Sequence, residues 1–423
     1  MTPPNDTSTN AATPRSWRRV LPFLAALGPG IIAASAGNDA GGIATYSQGG
    51  ASYGYSILWM IFVMTFSLVI VQEMAARMGA VTGKGFAALI RERFGVRPTL
   101  FAMGCLLLSN AATSVAEFAG IAASLQIFGI SKYISVPVAA VVVWVLVVRG
   151  SYRNIEKLLL VLSSVFISYV FAAFLAKPDW GVVLKATVVP SFIPTTGFVL
   201  IVIATIGTTI APWMQFFVQS NIVDKGTSVK ELAYARVDVI GGAVSANVIA
   251  WFIIVTTGTV LYPRGIAANT AEGAAQALAP VAGQYAATLF AIGLFGASLL
   301  AAFVLPLTAA YAVTEAFGFE RGIDRSWAEA PVFNGVFTFV ILFGASFVMI
   351  PKAPLFTIIV LSQVVNGVLL PFLLIFMMII INDRRIMGRH VNGTVYNVLG
   401  WATVTIVIAL TVALLGMQAF GVT

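Results

Sequence analysis

The chain has 423 residues, 59% of them hydrophobic and only 9% charged, with a mean hydropathy of +0.95. Soluble domains carry about 25% charged residues. The recurring apolar runs here, each long enough to cross roughly 30 Å of hydrocarbon, therefore exclude an ordinary water-soluble fold. The net charge of +8 does not point to nucleic acid, because Lys and Arg sit between the hydrophobic runs, which is the pattern of membrane orientation.

Residues 1–19 open on a polar, Thr/Asn/Pro-rich stretch and read as a disordered cytoplasmic tail without a cleavable signal. Eleven spans follow, at about 20–48, 53–78, 99–129, 134–150, 155–176, 196–222, 237–262, 285–317, 330–350, 354–381 and 393–417. Placing the N-terminus inside leaves 19 of the 24 Lys and Arg residues cytoplasmic; only Lys132, Lys177, Lys185, Arg264 and Lys352 fall outside. The odd number of spans then puts the C-terminus outside. Cys105 lies within an apolar run and can form no internal disulfide. The single histidine, His390, rules out a zinc site or proton relay built from several histidines.

Spans 1 and 6 are interrupted. Span 1 breaks at Ala36-Gly37-Asn38-Asp39-Ala40-Gly41-Gly42 and resumes at Ile43; span 6 breaks around Gly207-Thr208-Thr209-Ile210-Ala211-Pro212. Interruptions at matching places five spans apart point to a transporter of two inverted repeats with its site near the midplane, because non-helical backbone at that depth survives only in protein or beside a cavity. The repeats would be 20–176 and 196–381, with 393–417 an additional helix.

Asp39 is the principal candidate. A carboxylate at mid-bilayer costs on the order of 3 kcal/mol on insertion scales, and no span carries a central Lys or Arg to pair with it, which leaves a cation from solution. Carbonyls near Ala36 and Gly37 can add oxygen ligands, since the last carbonyls of a helix lack intrahelical donors. Glu117 in span 3 is a second deep acid, either a structural glutamate or part of an ion path. Glu73 and Glu315 lie near span ends, where solvated or snorkelling roles are expected. For Gln363, Asn366 and Asn247, helix-to-helix hydrogen bonding is the default, and Gln363 is the one best placed to reach an ion.

At these residues the chain resembles the Nramp family of divalent metal transporters over nearly its whole length. The resemblance is carried by Gly28-Pro29-Gly30, the Asp39 break with Ile43-Ala44-Thr45 and Gln48-Gly49-Gly50, Val71 to Arg77 running into Thr82-Gly83-Lys84-Gly85, Ala116-Glu117, and Leu361-Ser362-Gln363 through Leu370-Pro371-Phe372 to Asp383-Arg384-Arg385. It implies an all-α polytopic membrane protein with a LeuT-like fold of two inverted five-helix repeats and broken helices 1 and 6. It also implies a metal site at Asp39, Ala36, Gly42, Thr208, Ala211 and Gln363, with Glu117, Asn38 and Trp213 as candidate ion-path residues.

Departures from the family pattern are concentrated at that site. Where manganese- and iron-carrying members read Asp-Pro-Gly-Asn, this chain reads Asp39-Ala40-Gly41-Gly42; where they read Met-Pro-His, it reads Ala211-Pro212-Trp213. A second family histidine falls at Val218, an aspartate at Ser114, and the arginines of span 9 are missing. Losing a thioether and an amide leaves oxygen donors, which suit magnesium, calcium and manganese. Magnesium sheds water reluctantly and is held through one or two carboxylates. The pattern resembles the prokaryotic Nramp-related magnesium transporters, and so implies uptake of hydrated Mg²⁺, with Mn²⁺ also accepted, by alternating access without proton coupling, in a prokaryotic plasma membrane.

The alternatives are a broad-range Mn²⁺ or transition-metal carrier, or an aluminium carrier, of the same family, and an amino-acid carrier of the same fold. The last is disfavoured because Asp39 would repel a substrate carboxylate. A sensor would need an output domain, and the chain ends just past the last span. No nucleophile–base pair, phosphate-cradling loop or cofactor domain suggests an enzyme, and no cofactor is expected. The partners expected are the metal substrate and the lipid bilayer, without nucleic acid or an obligate protein partner.

Overall fold

In a computed structural model, residues 38–148, 164–322 and 325–419 are described, and all regular secondary structure among them is helical. The main helices are α1 (Ala40–Tyr53), α2 (Leu58–Thr82), α3 (Phe86–Phe94), α4 (Val96–Gln126), α5 (Lys132–Val148), α6 (Ser168–Ala176) and α7 (Trp180–Val188). After them come α8 (Thr196–Thr209), α9 (Pro212–Asp224), α10 (Leu232–Val260), α11 (Ala286–Phe317), α12 (Pro331–Val348), α13 (Leu355–Ile381) and α14 (Thr394–Ala419). Eight helical stretches among the described residues are long and apolar enough to cross a membrane, and they coincide with expected spans 2, 3 and 6–11. Spans 4 and 5 appear as shorter apolar helices, and α1 is the described part of span 1. Ala36, Gly37 and the first half of span 1 lie outside the described residues.

Helix α4 runs through the middle of the bundle, packed on α11, α12 and α13; α13 packs on α8, and α10 packs on α1 and α2. Close approach of α8 and α13 depends on glycine. A Cβ on Gly207 would lie 2.0 Å from the Gln363 carbonyl oxygen and 2.4 Å from the Gly367 nitrogen, and one on Gly367 would lie 2.5 Å from the Ile203 carbonyl oxygen. In a bilayer, where burial of apolar surface does not drive helices together, such backbone proximity is a main source of packing energy. Helix α14 lies at the periphery, with only five of its 26 residues buried.

Two short helices occupy segments the sequence reading left as loops. Helix α3 connects α2 to α4, and α7 is started by Asp179, whose carboxylate accepts from the Gly181 and Val182 amides at 2.9 and 3.3 Å. Span 2 also begins and ends later than expected. The chain turns at Gly54 (φ 57°), and the helix closes on Gly83 (φ 64°), whose amide donates to the Gly79 carbonyl.

The expected solvated roles of Glu73 and Glu315 are overturned. Glu73 is fully buried and pairs with Arg77 on its own helix (3.1 Å) and Arg236 on α10 (2.7 Å). Arg77 also donates to the carbonyls of His390 and Val391 and to the Asn392 side chain, fastening the segment before α14 to α2. Glu315 accepts from the Gly85 amide at 2.9 Å and pairs with Arg321 at 3.0 Å. Charges near the membrane boundary are buried here because each finds a partner on another element, which local sequence does not reveal. Lys132 behaves similarly, turning inward to donate to the carbonyls of Val348 and Ile350 at the end of α12. Asn247 follows its expected role, donating across helices to Thr65 at 3.0 Å.

Gly207→Ala should cost about 1–3 kcal/mol, because the new methyl meets backbone on α13. Gly104→Ala has open space around it and should be neutral or stabilising by about 1 kcal/mol from helix propensity. Thermal melting of the two variants in one detergent checks the contrast, and equal melting temperatures would contradict the packing account.

Candidate metal-binding site

The break in span 1 is an N-cap. Asp39 has extended backbone (φ −74°, ψ −174°), and its Oδ1 accepts from the Gly42 amide at 2.8 Å, which starts α1 at Ala40, three residues before the expected resumption at Ile43. From α4, Glu117 reaches the same helix end, its Oε2 accepting from the Ala40 amide at 3.3 Å. Both carboxyl groups thus sit at the positive end of the α1 dipole, within hydrogen-bonding reach of one another. Asp39 is 3% exposed and Glu117 fully buried. No Lys or Arg pairs with either among the described residues, and Glu117 Oε1 has no donor. Two carboxylates this close and this dry repel unless they share a proton or a cation lies beside them.

The break in span 6 follows from Pro212. Proline drives the preceding residue to extended backbone, and Ala211 is found there (φ −63°, ψ 139°), so α8 ends at Thr209 and α9 begins with Pro212 in its first turn. Because Pro212 has no N–H, the Thr208 carbonyl loses the donor a continuous helix would supply. Thr208 Oγ1 is buried without a partner as well. Thr208 therefore presents two oxygens in need of a positive partner.

Two side chains join the breaks. Tyr46, seven residues after Asp39 and so on the same face of α1, shares a hydrogen bond with Thr209 at 2.9 Å. Gln363 on α13 lies against the start of α1, so that a Cβ on Gly41 would fall 2.0 Å from its Nε2. Its amide is engaged within α13: Oε1 accepts from Asn366 and Nε2 donates to Ser362, both at 2.9 Å. Asn366 continues the network to α4 through Thr113 and Ser109. Gln363 is thus held at the site by polar contacts that fix its orientation.

Of the remaining candidates, Asn38 is buried beside Asp39, and Ala211 presents only a methyl group. Gly42 contributes its amide to Asp39 and has no side chain to offer an ion. Trp213 is buried one residue into α9, its ring 5.9 Å from that of Phe217 and its indole N–H unpartnered. Ala36 lies outside the described residues. Sequence reading missed Tyr46 and Ser298. The seven-residue spacing from Asp39 could have flagged Tyr46. Ser298, buried and unpartnered on α11, lies 2.3 Å from where a Gly120 Cβ would be, beside the Ala40 methyl, and a lone serine in an apolar helix gives no such signal. Among the described residues no group of three His, Cys, Asp or Glu side chains gathers as a metal cluster; the two carboxylates meet at the start of α1, and Thr208 presents its oxygens at the break in span 6.

This architecture has relatives. The chain is 30% identical over 417 residues to the divalent metal cation transporter MntH of Deinococcus radiodurans, covering 94% of this chain and 90% of that protein. It is 28% identical to MntH of Bacillus subtilis, covering 95% and 93%. In structure it is similar to a manganese transporter of Eremococcus coleocola, with a TM-score of 0.74 at 20% identity over 96% of this chain and 88% of that one. The LeuT-like fold extends to a nucleobase-cation-symport-1 family transporter, with a TM-score of 0.57 at 14% identity over 93% and 92%. Residues 30–416 match the family model described as natural resistance-associated macrophage protein-like, and with that match over most of its length, beside the 30% identity to the Deinococcus protein, the chain belongs to the Nramp family.

Proposed function

We propose that this protein carries divalent metal ions across the membrane, that hydrated Mg²⁺ is its principal substrate with Mn²⁺ also accepted, and that transport is not coupled to protons. The observation that carries the reading is the set of buried oxygens at the two breaks, Asp39, Glu117 Oε1 and both oxygens of Thr208, with no basic side chain paired to them among the described residues. Relatives named as divalent metal cation transporters support the general class. Preference for magnesium rests on what the site lacks. Gly42 and Ala211 stand where resembling members hold an amide and a thioether, so the donors left are hard oxygens.

Absence of proton coupling is supported by the contact between α4 and α12. Ser114, in place of an acid, faces the Val340 carbonyl at 3.4 Å and packs on Gly344, and α12 carries no ionisable side chain. A proton relay needs titratable groups in succession along a path. Inward movement of a divalent cation gains about 4.6 kcal/mol at 100 mV, equivalent to a concentration ratio of roughly 2,000. The membrane potential is therefore enough to drive accumulation. A manganese-preferring carrier is the second reading, favoured by the relative solved as a manganese transporter.

Asp39 has a structural duty as an N-cap, so Asp39→Asn, which keeps a capping oxygen and removes the charge, separates the two roles. Mg²⁺ uptake into proteoliposomes should fall to background while the melting temperature stays within a few degrees; wild-type uptake would show that capping is the whole role of Asp39. Introducing Gly42→Asn together with Ala211→Met should raise Mn²⁺ or Cd²⁺ uptake relative to Mg²⁺, and unchanged selectivity would refute the ligand argument. With a pH dye in the lumen, Mg²⁺ influx should proceed without acidification; one or more protons entering per ion would establish coupling.

A further inference from the structure

At the arginine-rich end of the bundle, a cavity of about 640 Å³ opens between α3, the end of α13 and the start of α14. The residues that give it its chemistry are Arg93, Asp383, Arg384, Arg385, Asn397 and Trp401. Arg93 and Asp383 neutralise each other at 2.7 Å. Asn382 donates to Asn397 at 2.7 Å, so the polar floor is satisfied within the protein. Arg384 and Arg385, both exposed, have no carboxylate partner among the described residues. The open side of the cavity thus carries two uncompensated guanidinium groups and the Trp401 indole. All of these are donors, and guanidinium matches the geometry of phosphate oxygens.

Trp401 is 42% exposed, and it begins an apolar stripe on α14: Ile408, Val412 and Leu415 follow at intervals that place them on one helix face, 41%, 63% and 59% exposed. Gly400 brings α14 close to α13 above the cavity, where an added Cβ would be 2.5 Å from the Met378 sulfur. A free anion would use the arginines alone. A phosphate with an acyl chain attached uses the arginines, the interfacial tryptophan and the apolar stripe together. We infer that this recess binds the headgroup phosphate of an anionic phospholipid, with an acyl chain lying along the Trp401 face of α14.

The test is lipid retention by the full chain in a mild nonionic detergent, measured by native mass spectrometry with phosphatidylglycerol or phosphatidylcholine added. Phosphatidylglycerol should be retained about tenfold better than phosphatidylcholine, and the double variant Arg384→Gln with Arg385→Gln should bring the two to equality. A control pair, Arg97→Gln with Arg325→Gln, makes the same charge change away from the recess and should keep the wild-type preference. Undiminished preference in the first pair, or equal loss in the control pair, would overturn the assignment. So would complete displacement of phosphatidylglycerol by millimolar inorganic phosphate, which would identify a free-anion site. Each variant is first checked for an unchanged elution profile and melting temperature.

Discussion

Everything at the centre of this molecule is organised by the carboxylate of Asp39, which caps the start of α1 while facing a second acid. Its bond to the Gly42 amide fixes where α1 begins, and that start sets the place of Tyr46 and the glycine surface on which Gln363 rests. Glu117 adds its own bond to the Ala40 amide. The helix dipole makes both acids tolerable at this end but does not remove their mutual repulsion in a dry interior. A mobile cation would relieve that repulsion without any fixed basic residue. An unpaired acid at a helix break is therefore better suited to a transient ligand than a salt-bridged one.

The second break supplies the complementary oxygens, for a reason written in one residue. Pro212 ends α8, removes the donor for the Thr208 carbonyl and starts α9. Holding this irregular backbone inside the bundle requires rigid neighbours. Gly207 and Gly367 let α8 and α13 meet backbone to backbone, and the Asn366 network ties α13 to α4. Single interhelical hydrogen bonds in membranes contribute only about 0.6 kcal/mol on average. Several converging on one amide contribute most by fixing its orientation.

Towards the arginine-rich end, stability takes a different form. Glu73 with Arg77 and Arg236, and Glu315 with Arg321 and the Gly85 amide, bind α2, α10, α11 and the connecting loops through paired charges. Removing one partner of a buried pair strands the other, so these clusters hold the chain in register at the ends of the spans. Among the described residues the central site carries acids without bases, whereas the periphery carries both. That difference in charge composition separates the region suited to an ion from the regions suited to structure.

Sequence alone determined the membrane class, the helical stretches at spans 2, 3 and 6–11, the break before Pro212 and the candidacy of Asp39 and Thr208 as ion ligands. Hydrophobic run length, proline and glycine interruption and the lack of a nearby base are local properties of the chain. It also exposed the missing thioether and amide, since residue identities need no fold to be read. Only the tertiary structure brought Glu117 to the Ala40 amide beside Asp39 across 77 residues of chain, paired Tyr46 with Thr209 across 163, and gave buried Glu73 a base 163 residues away. Helix packing decides which distant polar groups meet, and in a chain this uniformly apolar the hydrophobic pattern does not say which face of one span meets which face of another.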